Sequence, residues 1–150
     1  MKQGERLAVF AVQVRESTLK RFRQVKTNDR GWRPGPERLS FVDHLEHLVN
    51  CDEWILALLQ GKPEPDADVK PGDGDVQKWD QYLTALEEIG KRKAKFFEKM
   101  TDEQLDCCVE LPPRLGKIEK AMLILRENLE HEIQHRGSVQ AMLNMRNDQG

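Results

Sequence analysis

SFVDHLEHLVNCDEWILALLQ, Ser40 to Gln60, is the stretch that decides the fold. Turned at about 100° per residue, it sets Phe41, Leu45, Leu48, Val49, Leu56 and Leu59 along one stripe, the spacing of a helix with one buried face. Ser40 with Asp43 reads as an N-cap, since a short polar side chain there can accept from a first-turn amide. Glu46, Asn50, Glu53 and Gln60 form a second, solvated sector. The remaining sector holds His44, His47, Cys51, Trp54 and Leu58, a set too apolar and too rich in metal-competent groups for ordinary surface.

Helical spacing recurs in three further segments, and no period-2 strand of useful length interrupts it. About residues 4 to 26 carry Leu7, Phe10, Ala11, Val14, Phe22 and Val25 on one face, and TNDRG follows as a turn. GWRPGPER precedes the Ser40 helix, its prolines excluded from a helix interior. The loop GKPEPDADVKPGDGD leads to a helix from about Val76 to Met100. A connection from Thr101 to Lys117, containing Pro112 and Pro113, then leads to a helix from about Ile118 to Met145. The stripe of that last helix is Ile118, Met122, Leu125, Leu129 and Ile133. The expected fold is all-α, a four-helix bundle in a single domain over 1–150, an architecture whose cofactor sites form between facing helices.

Charged residues make up 33% of the 150, yet the net charge is only -2, so the overall balance calls for neither nucleic acid nor an anionic membrane. KRFRQVK, Lys20 to Lys26, reads as a solvated face because Phe22 and Val25 turn to the core. In KRKAKFFEK, Phe96 and Phe97 bury while the lysines snorkel. No apolar run approaches the roughly 20 residues of a membrane span. The start MKQGERLAVFAVQV has too little uninterrupted apolar length for a signal peptide, so a cytoplasmic location is expected. Three cysteines, including the adjacent Cys107 and Cys108, make no secreted disulfide framework, and reduced thiols are expected.

His131 and His135 stand four apart, so consecutive turns of one helix present both rings in the same direction, on the shoulder of its stripe beside Ile124, Asn128 and Met142. All 4 histidines of the chain lie on two helices. Surface histidines at this spacing also arise by chance, but the histidine-bearing sector of the Ser40 helix favours a metal site, with His47 as the natural third ligand and His44 as a competitor one turn earlier. HEIQH also matches the H-E-x-x-H of zinc peptidases, in which the Glu is the general base. The continuation HRGSVQAML lacks H-x-x-G-x-x-H, and Glu132 projects toward the core stripe, where an ion pair with Arg136 is expected. Cys51, four residues after His47, reads as packing more than as a ligand or reactive thiol. Trp54 is placed to line a cleft above the metal or to pack in the core.

SFVDHLEHLVNCDEWIL and HEIQHRGSVQAML together resemble the DinB-like superfamily of metal-binding four-helix bundles. Its pattern of a Trp-containing approach, Ser or Thr, an acidic residue three later and a ligand histidine before Leu is matched by Trp32, Ser40, Asp43 and His47-Leu48. Its H-x-x-x-H-R-G-Q is matched by His131, His135, Arg136 and Gly137, with Ser138 in place of Gln. The Ser-to-His spacing favours His47 over His44, which is expected beside the ligands or partly exposed. The resemblance implies a metal held by His47, His131 and His135. Imidazoles suit zinc, nickel, copper and iron, and zinc or nickel is expected here. It further implies thiol S-transfer with a low-molecular-weight thiol as partner, and a homodimer. A non-catalytic or stress-related metal-binding protein and a metal-dependent hydrolase are the alternatives.

Overall fold

A computed structural model of the chain describes residues 1–62, 67–111 and 116–149. Pro112 and Pro113, read above as part of a connection, lie outside the described residues. The described part is predominantly helical. Helix α1 spans Gln3–Phe22, α2 spans Phe41–Leu59 and α3 spans Trp79–Lys99, the last entered through a 3₁₀ turn at Val76–Lys78. A short α4 (Asp102–Asp106) precedes strands β1 (Cys108–Glu110) and β2 (Lys117–Glu119). The final helical stretch begins as α5 (Lys120–Met122), winds as a π-helix over Leu123–Glu130 and continues as α6 (His131–Gln149). Helix α1 packs against α3 and α6, and α2 packs against the same two. No helix among the described residues is long and apolar enough to cross a membrane.

Local chemistry sets these boundaries. At the start of α2 the Ser40 hydroxyl accepts from the Asp43 amide at 3.1 Å, while the Asp43 carboxylate accepts from the Ser40 amide at 2.9 Å. Two amides of the first turn that the helix cannot satisfy are thus paired reciprocally. Thr101 and Gln104 repeat the device for α4. Helix α1 stops at Phe22, earlier than the periodicity suggests, although Val25 beyond it is still buried.

Two apolar clusters form the core. One gathers Leu7, Ala11, Ile55, Leu59, Phe97 and Leu129, and the other Leu19, Phe22, Phe41, Leu45, Trp79 and Val139. Between them, in chain order, fall Arg15 on α1, Asp52 on α2 and Glu132 on α6, all buried. Lys93 on α3 joins them with 0% of its surface exposed. It is the exception to the expectation that the α3 lysines snorkel. Arg15 and Lys93 neutralise Asp52 and Glu132, which is the condition for holding charge in a core.

Three further expectations are corrected. Phe10, placed in the core by periodicity, is 38% exposed, because the buried face of α1 is centred on Leu7, Ala11, Val14 and Thr18. Ile118 belongs to β2 and opposite Val109 in an antiparallel pair, a strand too short for period-2 alternation to reveal. Met122 and Leu125 point outward. A π turn takes in one more residue than an α turn, so Leu123, Ile124, Asn128 and Leu129 become the inward set.

Candidate metal centre

Helix α2 carries His44, His47 and Cys51 on one side, and α6 opens on His131 with His135 one turn later. The packing of α2 against α6 brings the His47 ring edge to face with His131, centroids 5.1 Å apart, and tilted against His135 at 4.7 Å, while His131 and His135 on α6 stand edge to face at 4.4 Å. One ring nitrogen from each of His47, His131 and His135 lies within 4.8 Å of the other two. Nε2 of His131 is 3.0 Å from Nε2 of His135 and 3.4 Å from Nε2 of His47. Bonds of about 2.0–2.1 Å at tetrahedral angles place ligand nitrogens about 3.3–3.4 Å apart, so the donor set fits a divalent transition metal. The residues that sequence spacing paired across two helices are therefore brought together here, and they could hold a metal ion.

The outer nitrogens are engaged as well. Nδ1 of His47 donates to the carbonyl of Ala67 at 2.7 Å, which turns Nε2, the nitrogen that could bind a metal, toward His131. Nδ1 of His135 lies 2.8 Å from Nδ1 of His44. Burial holds all three of His44, His131 and His135 below the ordinary histidine range, helped by their histidine neighbours: His44 falls to about 4 and His135 to about 3. They are neutral near pH 7, the form in which imidazole binds a metal.

The loop that supplies Ala67 is pinned by the residue that caps α2. The Asp43 carboxylate accepts from the amides of Gly72 at 3.0 Å and Gly74 at 2.7 Å. Burial raises the Asp43 carboxyl, but these backbone amides and that of Ser40 outweigh it and hold it below the usual range. A side chain on Gly74 would meet the Asp43 carboxylate at 2.8 Å and its amide nitrogen at 2.9 Å, so only glycine fits this approach.

Behind the histidines, α6 is fastened by Glu132. Its carboxylate accepts from Arg15 Nε at 3.0 Å, Arg15 Nη2 at 2.7 Å and the Thr18 hydroxyl at 2.8 Å, and lies 3.7 Å from Lys93 Nζ. The expected partner Arg136 is replaced by these groups from α1 and α3: Glu132 is buried, as its projection indicated, and the charges that compensate it there come from neighbouring helices. Asp52 completes the layer, accepting from Arg15 at 2.7 Å, Lys93 at 2.8 Å and the Asn128 amide at 3.1 Å. Burial would raise both carboxyls, but Lys93 and Arg15 outweigh it and hold them down. Glu132 is thus occupied away from the histidine lone pairs, unlike the general base of a zinc peptidase.

Cys51 is buried with its sulfur 3.5 Å from His47 Nε2, and burial beside Asp52 pushes its thiol up to about 12. It does not join the close three-histidine group. Trp54 packs against the Leu7 and Phe97 cluster. Sequence reasoning missed the buried network of Arg15, Asp52, Lys93 and Asn128, although a signal existed for two of them. Asp52 sits four residues from both Leu48 and Leu56 in the α2 stripe, and Lys93 four from both Ile89 and Phe97. A charge in the middle of an apolar stripe calls for a buried partner.

A model of the DinB superfamily matches residues 11–139. Among solved structures, a DinB-like protein of Bacillus subtilis superposes with a TM-score of 0.71 at 15% identity, over 95% of this chain and 92% of that one. A conserved protein of Enterococcus faecalis does so with a TM-score of 0.69 at 14% identity, over 95% and 96%. At such identities the likeness shows the fold alone. No curated protein sequence matches the chain. The helical fold, the clustered histidines and the match over most of its length agree, and the chain belongs to the DinB superfamily.

Proposed function

We propose that the chain is a four-helix-bundle protein that holds one divalent transition metal, zinc or nickel, at His47, His131 and His135, and works as a thiol S-transferase on a low-molecular-weight thiol. The observation that carries this reading is the convergence of three imidazole nitrogens within 4.8 Å on two packed helices. When bound, the cation keeps its full charge among neutral ligands and holds a thiol as the nucleophilic thiolate. The chain's own residues prepare that setting. Ala67 fixes the His47 ring, and Glu132, tied to Arg15, holds the α6 turn that carries His131. Cys51, kept protonated by burial, stands beside His47 as a neutral group and leaves the anionic place to an incoming thiol. The same reading places the protein in the cytoplasm as a homodimer.

The test is to load cobalt and titrate a panel of cellular thiols. One thiol should produce a sulfur-to-metal charge-transfer band and support conjugation to a model electrophile, and both effects should vanish in His131→Ala and His135→Ala. If no thiol perturbs the spectrum of the loaded protein, the transferase reading falls and a non-catalytic metal-binding role replaces it.

A further inference from the structure

His44 is the histidine outside the three-nitrogen group, yet its ring is buried and its Nδ1 lies 2.8 Å from Nδ1 of His135. Two ring nitrogens at that distance share a single proton, so one donates and the other accepts. If His44 donated, Nδ1 of His135 would carry the lone pair, and the His135 proton would sit on Nε2, aimed at Nε2 of His131 only 3.0 Å away. No cation fits beside that proton. If His135 donates, its Nε2 lone pair faces the cluster and the ring is ready to bind. His44 then carries its own proton on Nε2 and is uncharged.

We propose that His44 is a positioning residue that accepts from His135 Nδ1–H, fixing the tautomer and ring orientation of that ligand without adding charge to the site. This inference rests on the metal-binding reading above and deepens it. Ligating histidines are commonly oriented by a carboxylate or a backbone carbonyl. Here the two engaged outer nitrogens both meet neutral acceptors, the Ala67 carbonyl for His47 and the His44 ring for His135. The carboxylates next in sequence are directed elsewhere, Asp43 onto the amides of Ser40, Gly72 and Gly74, and Glu132 onto Arg15 and Thr18. A neutral outer layer leaves the positive charge of a bound cation undiminished, which favours an anionic incoming ligand over a neutral one.

The experiment compares the wild-type protein with His44→Leu, which removes the acceptor, and His44→Asn, whose amide oxygen takes the place of Nδ1. Cobalt dissociation constants are measured by competition, and nitrogen-15 correlation spectra of the zinc-loaded protein report the His135 tautomer. His44→Leu should weaken binding by about 10- to 100-fold, the usual loss when an outer partner of a ligating histidine is removed. His44→Asn should restore most of that loss, and a His135 Nδ1–H signal should be present in wild type and shifted in both variants. Equal affinity in His44→Leu and wild type, or an Asn variant as weak as the Leu variant, overturns the role of His44 and leaves the metal-binding reading standing. Wild-type protein that binds no cobalt overturns both. Circular dichroism of each variant separates a lost hydrogen bond from a lost fold.

Discussion

Two histidines three positions apart carry different duties, and what distinguishes them is the partner each ring finds. His47 has its Nδ1 on a backbone carbonyl and its Nε2 among other histidines, whereas His44 spends its Nδ1 on His135. Spacing on α2 brought both to one sector, the family spacing from Ser40 favoured His47, and the geometry of the facing helix gives each ring its partner. Glu132 shows the opposite case. Its inward direction was legible from its place in the helix, but its partners come from α1 and α3, over a hundred residues and several tens of residues away, and no local pattern names them. Glu132→Gln should therefore leave metal content unchanged while lowering stability by about 3 kcal/mol, since it leaves Arg15 and Lys93 under-compensated in the core. Chemical denaturation and metal analysis of the same preparation check both halves. A peptidase activity that disappears in this variant would show that Glu132 serves the HEIQH motif as a general base after all.

The elements that position the site are those whose ends are chemically defined. Ser40 and Asp43 were readable as a cap because the pairing is local, and the sharing of Asp43 with Gly72 and Gly74 was not, because it depends on the loop folding back onto α2. Gly74→Ala forces a methyl group against the Asp43 carboxylate and backbone. It should cost about 1–3 kcal/mol and loosen the loop that holds His47, so metal affinity should drop along with the thermal midpoint. The π-helical winding before α6 was invisible to an expectation built on about 100° per residue, and it moved Leu125 to the surface and left Leu129 buried at 0% exposure. Leu129→Ala should cost about 2–5 kcal/mol and Leu125→Ala less than about 1 kcal/mol. Equal costs in urea titrations would restore the regular α-helical register. The antiparallel pairing of β1 and β2 escaped detection because strands of 3 residues offer no alternation to read.

At the scale of the molecule, two apolar clusters are separated by a layer of paired charges, and the histidines lie beside that layer. The helical class and the histidines brought together were legible because both follow from periodicity within single helices. The charge layer was not, since it exists only once several helices meet. This arrangement also sets the response to acid. His44, His131 and His135 are held below the ordinary value of 6.5, His44 at about 4 and His135 at about 3, so between those values the unfolded chain binds more protons than the folded one. The stability of the metal-free protein is full above about pH 6.5 and declines as pH falls toward 4. Its urea midpoint should be lower at pH 5 than at pH 7.5, and a midpoint that rises on acidification would contradict neutral, buried rings. The central claim, that His47, His131 and His135 together hold a metal, is tested most directly by elemental analysis of untagged wild-type protein beside His47→Ala, His131→Ala, His135→Ala and His44→Ala after saturation and desalting. One metal per chain in wild type, a sharp loss in each of the first three variants and a smaller effect in His44→Ala is the expected pattern; unchanged stoichiometry in His47→Ala would contradict it.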